Sequence, residues 1–193
     1  MHRGGGAVCI GALSDPGAHL RLMTNTCGYH SADCPYQVGQ AWEVAVRPCP
    51  DLRPPHLEDV AIVKARLLGE EEDLRGFILD RVTPWRGSIQ VIFDDLIEFT
   101  GNGSGYISES TGVPKSSTGF WFPDRDLTFQ AQPRQAYYAH DGFRHLSYVG
   151  TAPAIPIIKA GILVRVSLAK WWRQREADPS FEYRCYAQFS GWY

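Results

Sequence analysis

Hydrophobic and polar positions divide the chain by period. Val8 and Ile10 follow the flexible Gly4-Gly5-Gly6, and Asp15-Pro16-Gly17 reads as a turn. Leu20, Leu22 and Thr24 then alternate with His19, Arg21 and Met23, which predicts a strand. Trp42, Val44 and Val46 repeat the alternation against Glu43, Ala45 and Arg47. The proline-rich stretch Pro48 to Pro55 interrupts it, and Val60-Ala61-Ile62-Val63 resumes it. Short strands with turn chemistry between them predict a small β barrel or sandwich over residues 1–68.

The period changes next. Leu74, Phe77, Ile78 and Val82 have helical spacing, and the acids from Glu70 to Asp73 sit where a helix dipole favours them. Pro84 ends this helix. Ile89, Ile92, Phe93, Leu96 and Ile97 predict a second helix, stopped by Gly101-Asn102-Gly103, so residues 69–100 read as a two-helix connector. Residues 101–118 are rich in Gly, Ser and Thr without periodicity and read as a loop. Lys115-Ser116 lacks the glycine spacing of a phosphate-binding loop. Residues 119–193 return to period two: Ile162, Val164, Val166 and Leu168, then Cys185, Ala187 and Phe189, with Asp141-Gly142 as a hairpin turn. The fold class expected is mainly β with a helical insertion.

Composition narrows the classes of function. The 193 residues suffice for a core without staples, and no apolar run is long enough to span a membrane or form a signal peptide. Thirteen prolines and nineteen glycines favour turns over helical bundles. The net charge of −2 carries no basic signature, but it is unevenly spread. Residues 1–66 hold six basic and six acidic side chains, residues 67–115 four against nine, and residues 116–193 nine against six. The five cysteines, an odd number, are expected as free thiols in a cytoplasmic protein. Cys27, His30 and Cys34, with Cys49 as a fourth, lack the second short-spaced pair of a structural zinc site, so no metal or other cofactor is expected.

Several stretches resemble one family. They are Leu146-Ser147-Tyr148-Val149-Gly150, the run from Ala160 to Trp172, the ending from Arg184 to Tyr193, Cys9-Ile10-Gly11-Ala12 with Leu20-Arg21-Leu22, and the run from Arg53 to Val60. Together they are similar to the bacterial dual OB-containing domain family over almost the full length. The resemblance implies two OB-like barrels, nucleic-acid binding, and mobile-element or defence gene contexts. It brings no catalytic residues with it, and fold analogy alone does not establish function.

OB barrels hold single strands with a basic groove and aromatic platforms. Lys170, Trp171, Trp172, Arg173 and Arg175 interleave cations with indoles and form the leading candidate for single-stranded DNA or RNA. Strand parity turns Arg21, Arg47, Arg165 and Arg184 outward, as phosphate contact requires and as any solvated strand face also does. Trp121, Arg125, Arg144 and Tyr148 are secondary candidates. His56 and Glu58, with Asp59, form the most enzyme-like set and would serve a metal-assisted hydrolase or nuclease. No Gly-x-Ser-x-Gly occurs, because Gly103-Ser104-Gly105 lacks the outer spacing. The expected protein is a non-catalytic binder without membrane contact. The alternatives are a protein-interaction subunit and the hydrolase.

Overall fold

The computed structural model describes residues 2–3, 6–133, 135–173 and 181–193. It is mainly β and divides into two units, Met1–Thr83 and Pro84–Tyr193. None of its helices is long and apolar enough to cross a membrane, among the described residues.

The first unit contains β1 (His2–Arg3), β2 (Ala7–Val8), β3 (Ile10–Leu13), β4 (His19–Met23), β5 (His30–Ser31), β6 (Gln40–Pro48), β7 (Asp59–Glu70) and α1 (Leu74–Leu79). Its larger sheet has the order β3-β4-β7-β6, with β4 and β7 parallel; β1, β2 and β5 form a small second sheet. The β6–β7 ribbon carries two register shifts. Ala45 faces Lys64 while Val46 faces Ile62, and Ala41 faces Gly69 while Trp42 faces Leu67. Val63 and Leu68 are therefore the extra residues of two β-bulges, and both side chains are exposed. Strict alternation predicted Val46 on the face of Trp42 and Val44; Val46 is 39% exposed, whereas Trp42 and Val44 are half-buried.

Cys27 and Cys49 form a disulfide, against the expectation of free thiols; Cys9, Cys34 and Cys185 are not in disulfides. The bond removes the cysteine argument for a cytoplasmic setting. It lies in a small core with Met23 and Ala61, backed by Tyr29 and Leu52.

The predicted first helix exists in short form. Asp73 caps α1 by accepting from the Gly76 backbone N–H at 2.8 Å. A Cβ at Gly76 would lie 2.2 Å from the Asp73 carboxylate, so a larger residue there would make the capping side chain shift. The second helix does not form, and the two-helix connector is corrected to α1 alone plus a 3-10 turn at Ile89–Val91. Phe93, Asp94 and Asp95 have φ of 57°, 62° and 62°, a left-handed turn that stops any right-handed helix. The apolar positions chosen by helical spacing still enter the core: Ile89, Ile92, Phe93 and Ile97 are all buried.

The second unit contains β8 (Trp85–Gly87), β9 (Glu98–Phe99), β10 (Gly105–Ser108), β11 (Thr118–Pro123), β12 (Leu127–Gln132), β13 (Gln135–Ala139), β14 (His145–Tyr148), β15 (Ile157–Ile158), β16 (Val164–Leu168) and β17 (Arg184–Trp192). They form one sheet in the order β15-β12-β13-β14-β17-β16-β11-β8, with β10 on β17 and β9 on β10. The sheets of both units are open paths rather than closed barrels. Strand β10 runs through the expected 101–118 loop, and its residues are buried. Asp141-Gly142 does lie in the β13–β14 hairpin connection, with Gly142 at φ +82°. Strand β17 is central, pairing with β10, β14 and β16. Its alternation of buried Cys185, Ala187 and Phe189 follows the sequence period. These side chains join Trp121, Tyr138, Leu146, Val164, Val166 and Leu168 in one large core.

Candidate functional site

The outward-facing residues at the start of β17 build a surface of cations and rings. An isolated bridge pairs Trp172 with Arg184, with reciprocal backbone hydrogen bonds of 2.9 Å. Of the adjacent tryptophans, Trp171 packs against the large core and Trp172 is 51% exposed. The Trp172 ring lies 6.2 Å from Tyr186, and Tyr186 lies 6.2 Å from Tyr106 across the β10–β17 pair. The Arg184 guanidinium sits 4.2 Å from the centre of the Tyr106 ring and 5.1 Å from that of Phe181. Arg173 stands 4.8 Å over Tyr183. Such contacts hold a cation in place while leaving guanidinium donors for a ligand.

Beside this surface opens a cleft of about 360 Å³ lined by Glu98, Tyr106, Ser108, Ser110, Phe181, Glu182 and Arg184. Ser108 donates to Glu98 at 3.0 Å, and Ser110 donates to Glu182 at 2.8 Å. The serine hydroxyls are themselves 3.0 Å apart, but each directs its one proton at a carboxylate, so the two Ser–Glu pairs stand side by side. Burial raises the Tyr106 phenol above its ordinary pKa; Arg184 opposes the shift and Glu98 reinforces it. The cleft thus presents a neutral phenol, aromatic faces, carboxylate acceptors and one arginine.

The other predicted residues lie elsewhere. Arg21 is buried and donates to Asp59, which corrects its outward assignment. Burial works against its charge, but the bond to Asp59 and the nearby negative groups raise its pKa overall. The phosphate-contact reading fails there because β4 lies inside its sheet, between β3 and β7, and buries both faces at its C-terminal end. Of the enzyme-like set, His56 is buried, Glu58 is half-buried, and Asp59 is engaged by Arg21. Among the described residues, no cluster of three His, Cys, Asp or Glu could hold a metal ion. Arg47 is exposed and donates to the Asn25 carbonyl at 2.7 Å. Arg165 is half-buried and lies close enough to Tyr193 to oppose the burial that raises that phenol's pKa. Lys170 is half-buried at the end of β16, and Arg175 lies outside the described residues.

Trp121 is fully buried and donates through Nε1 to the Gly87 carbonyl at 2.9 Å, so it offers no stacking face. Arg125 lies near Asp124, and Arg144 pairs with Asp141. Tyr148 turns its ring toward Tyr138, Phe189 and Trp192. Tyr106, Tyr186, Phe181, Tyr183, Glu98 and Glu182 were not singled out by the sequence reading. Only the long-range pairing of β10 with β17 brings the two sides of the cleft together, and no local pattern encodes that pairing.

Comparison with known proteins finds no matching family, curated protein or solved structure.

Proposed function

We propose that the second unit binds single-stranded DNA or RNA across the surface formed by Trp172, Arg173, Phe181, Tyr183 and Arg184, with the buried Tyr106 ring packed against Arg184. The observation that carries this reading is the interleaving of two arginines with four rings around the Trp172–Arg184 bridge. Exposed rings stack on bases of any sequence, and arginines answer the phosphates between them. The carboxylates of the cleft repel phosphate but accept hydrogen bonds from base N–H groups, so bases face inward and the backbone runs outside. The proposal retains an OB-like relationship for both units, with sheets that stay open, and membership of the dual OB-containing family.

Fluorescence anisotropy with short labelled DNA and RNA oligonucleotides tests it. Binding at low salt should weaken as salt rises, because phosphate contacts release counterions. Trp172→Ala with Arg173→Ala should weaken binding about tenfold or more, given roughly 1–3 kcal/mol per stacked base. No binding at low salt, or equal binding by the double variant, would overturn the proposal.

A second reading has its own support. Val63 and Leu68 are 64% and 58% exposed on β7, and Leu67 is exposed beside them. Apolar groups projecting from a bulged ribbon suit a protein-interaction subunit. Co-purification of one stoichiometric partner, lost on Val63→Lys with Leu68→Lys and accompanied by no oligonucleotide binding, would favour this reading.

A further inference from the structure

Ser104 occupies the turn between β9 and β10, and an isolated parallel bridge sets it beside His145 at the start of β14. The Ser104 Oγ lies 2.9 Å from His145 Nε2, and His145 Nδ1 lies 3.0 Å from the Phe143 carbonyl oxygen. A carbonyl only accepts, so Nδ1 carries the proton. In the neutral ring Nε2 is then the acceptor, and the serine hydroxyl donates to it. This is the polarity that a serine nucleophile and its general base require, with a backbone carbonyl in the orienting place usually held by a carboxylate.

The surroundings fix that geometry. The Tyr137 ring lies 4.1 Å from the His145 ring, centroid to centroid, and His145 is buried while Ser104 remains half-buried. The Ser104 backbone N–H donates to Thr100 Oγ1 at 3.0 Å, and the His145 N–H donates to the Gly103 carbonyl at 2.9 Å. Gly103 is sterically required, and Gly105 is closely packed by side chains. A Cβ at Gly103, whose φ is +89°, would fall 1.9 Å from the Phe143 carbonyl oxygen, the group that orients His145. A Cβ at Gly105 would meet Ile97 Cδ1 at 2.8 Å.

We propose that Ser104 is an acyl acceptor with His145 as its general base, and that its substrates are small esters. Ser104 is half-buried, and the Phe143 carbonyl orients His145. Ser104 Oγ attacks the ester carbonyl carbon as its proton passes to His145 Nε2. The ester C–O bond breaks, and the departing alcohol takes that proton. Water, deprotonated by the same nitrogen, then cleaves the acyl-serine to the carboxylic acid and restores the hydroxyl. The net reaction is ester plus water to acid plus alcohol.

The full chain is incubated with p-nitrophenyl butyrate and, separately, with a fluorophosphonate, and modified residues are mapped by mass spectrometry. The expected result is one butyryl or phosphonyl group on Ser104 with release of nitrophenol. Ser104→Ala should abolish this. His145→Ala should slow it by roughly 10²–10⁴-fold, with partial rescue by added imidazole. Labelling confined to lysines, or nitrophenol release undiminished in Ser104→Ala, would overturn the proposal. So would an unlabelled Ser104 with both variants losing thermal stability alike, since the pair would then only lock the turn. Mapping on the unaltered chain decides the matter even where a variant fails to fold.

Discussion

The two units reach stability by different means. Among the described residues, the second unit buries twenty-one hydrophobic side chains and the first only seven. Each of the largest fully buried side chains, from Trp121 to Leu168, belongs to the second unit. The first unit relies more on cross-links: the Cys27–Cys49 disulfide and the buried Arg21–Asp59 pair. Charge divides similarly. Residues 1–83 carry eight basic and eleven acidic side chains, and residues 84–193 eleven and ten. A sheet with a deep core can spend its outer face on cations and rings. The first unit's β6–β7 ribbon instead leaves apolar side chains in solvent.

The largest effect expected is from Trp121→Ala, which empties the centre of the second core and removes one of two donors to the Gly87 carbonyl. It should cost about 3–5 kcal/mol, read as a lower urea midpoint. A loss below 1 kcal/mol would break the contrast. Cys27→Ala with Cys49→Ala removes a link between residues 22 apart in sequence and should cost about 3 kcal/mol on chain-entropy grounds. The unaltered chain should lose the same increment in reductant, and insensitivity to reductant would show that the first unit's core suffices.

A smaller effect is expected with pH. Burial lowers the pKa of His140, against the opposing influence of its 2.7 Å bond to Asp124; Arg125 adds to the lowering, and Asp141 opposes it. The unfolded chain therefore binds a proton more readily than the folded one. Stability should fall as pH drops through about 6.5 toward the lower native value. His140→Gln should flatten that part of the pH profile. Burial lowers His30 in the first unit in the same direction, so part of the slope should remain. The smallest effect is expected from Asp95→Gly, which relieves a left-handed φ of 62° at an exposed position. Chemical denaturation should show a gain of less than about 1 kcal/mol, since glycine's added chain entropy offsets part of the relief.

The sequence revealed core membership better than backbone path. Helical spacing at Ile89, Ile92, Phe93 and Ile97 selected true core residues, because burial depends on composition near the sheet. The path differs because consecutive left-handed residues at 93–95 carry no apolar period. Period two correctly placed Cys185, Ala187 and Phe189 inward on β17. It misplaced Arg21, whose burial depends on a partner 38 residues away at Asp59. At the candidate site, Trp172, Arg173 and Arg184 were legible from their spacing. Tyr106 and Glu98 were not, because only sheet topology places them opposite β17.

The central position of β17 has a consequence for how the chain is made. Translation delivers residues from the N-terminal end, so the strands of the first unit are all available once residue 70 has emerged. The sheet of the second unit must wait for residues 184–192, since β10, β14 and β16 all pair with that strand. Until then the ribosome holds several strands with open edges and an unfilled core, the state most prone to wrong partners. During synthesis, the better-packed half of the finished protein is the more vulnerable half.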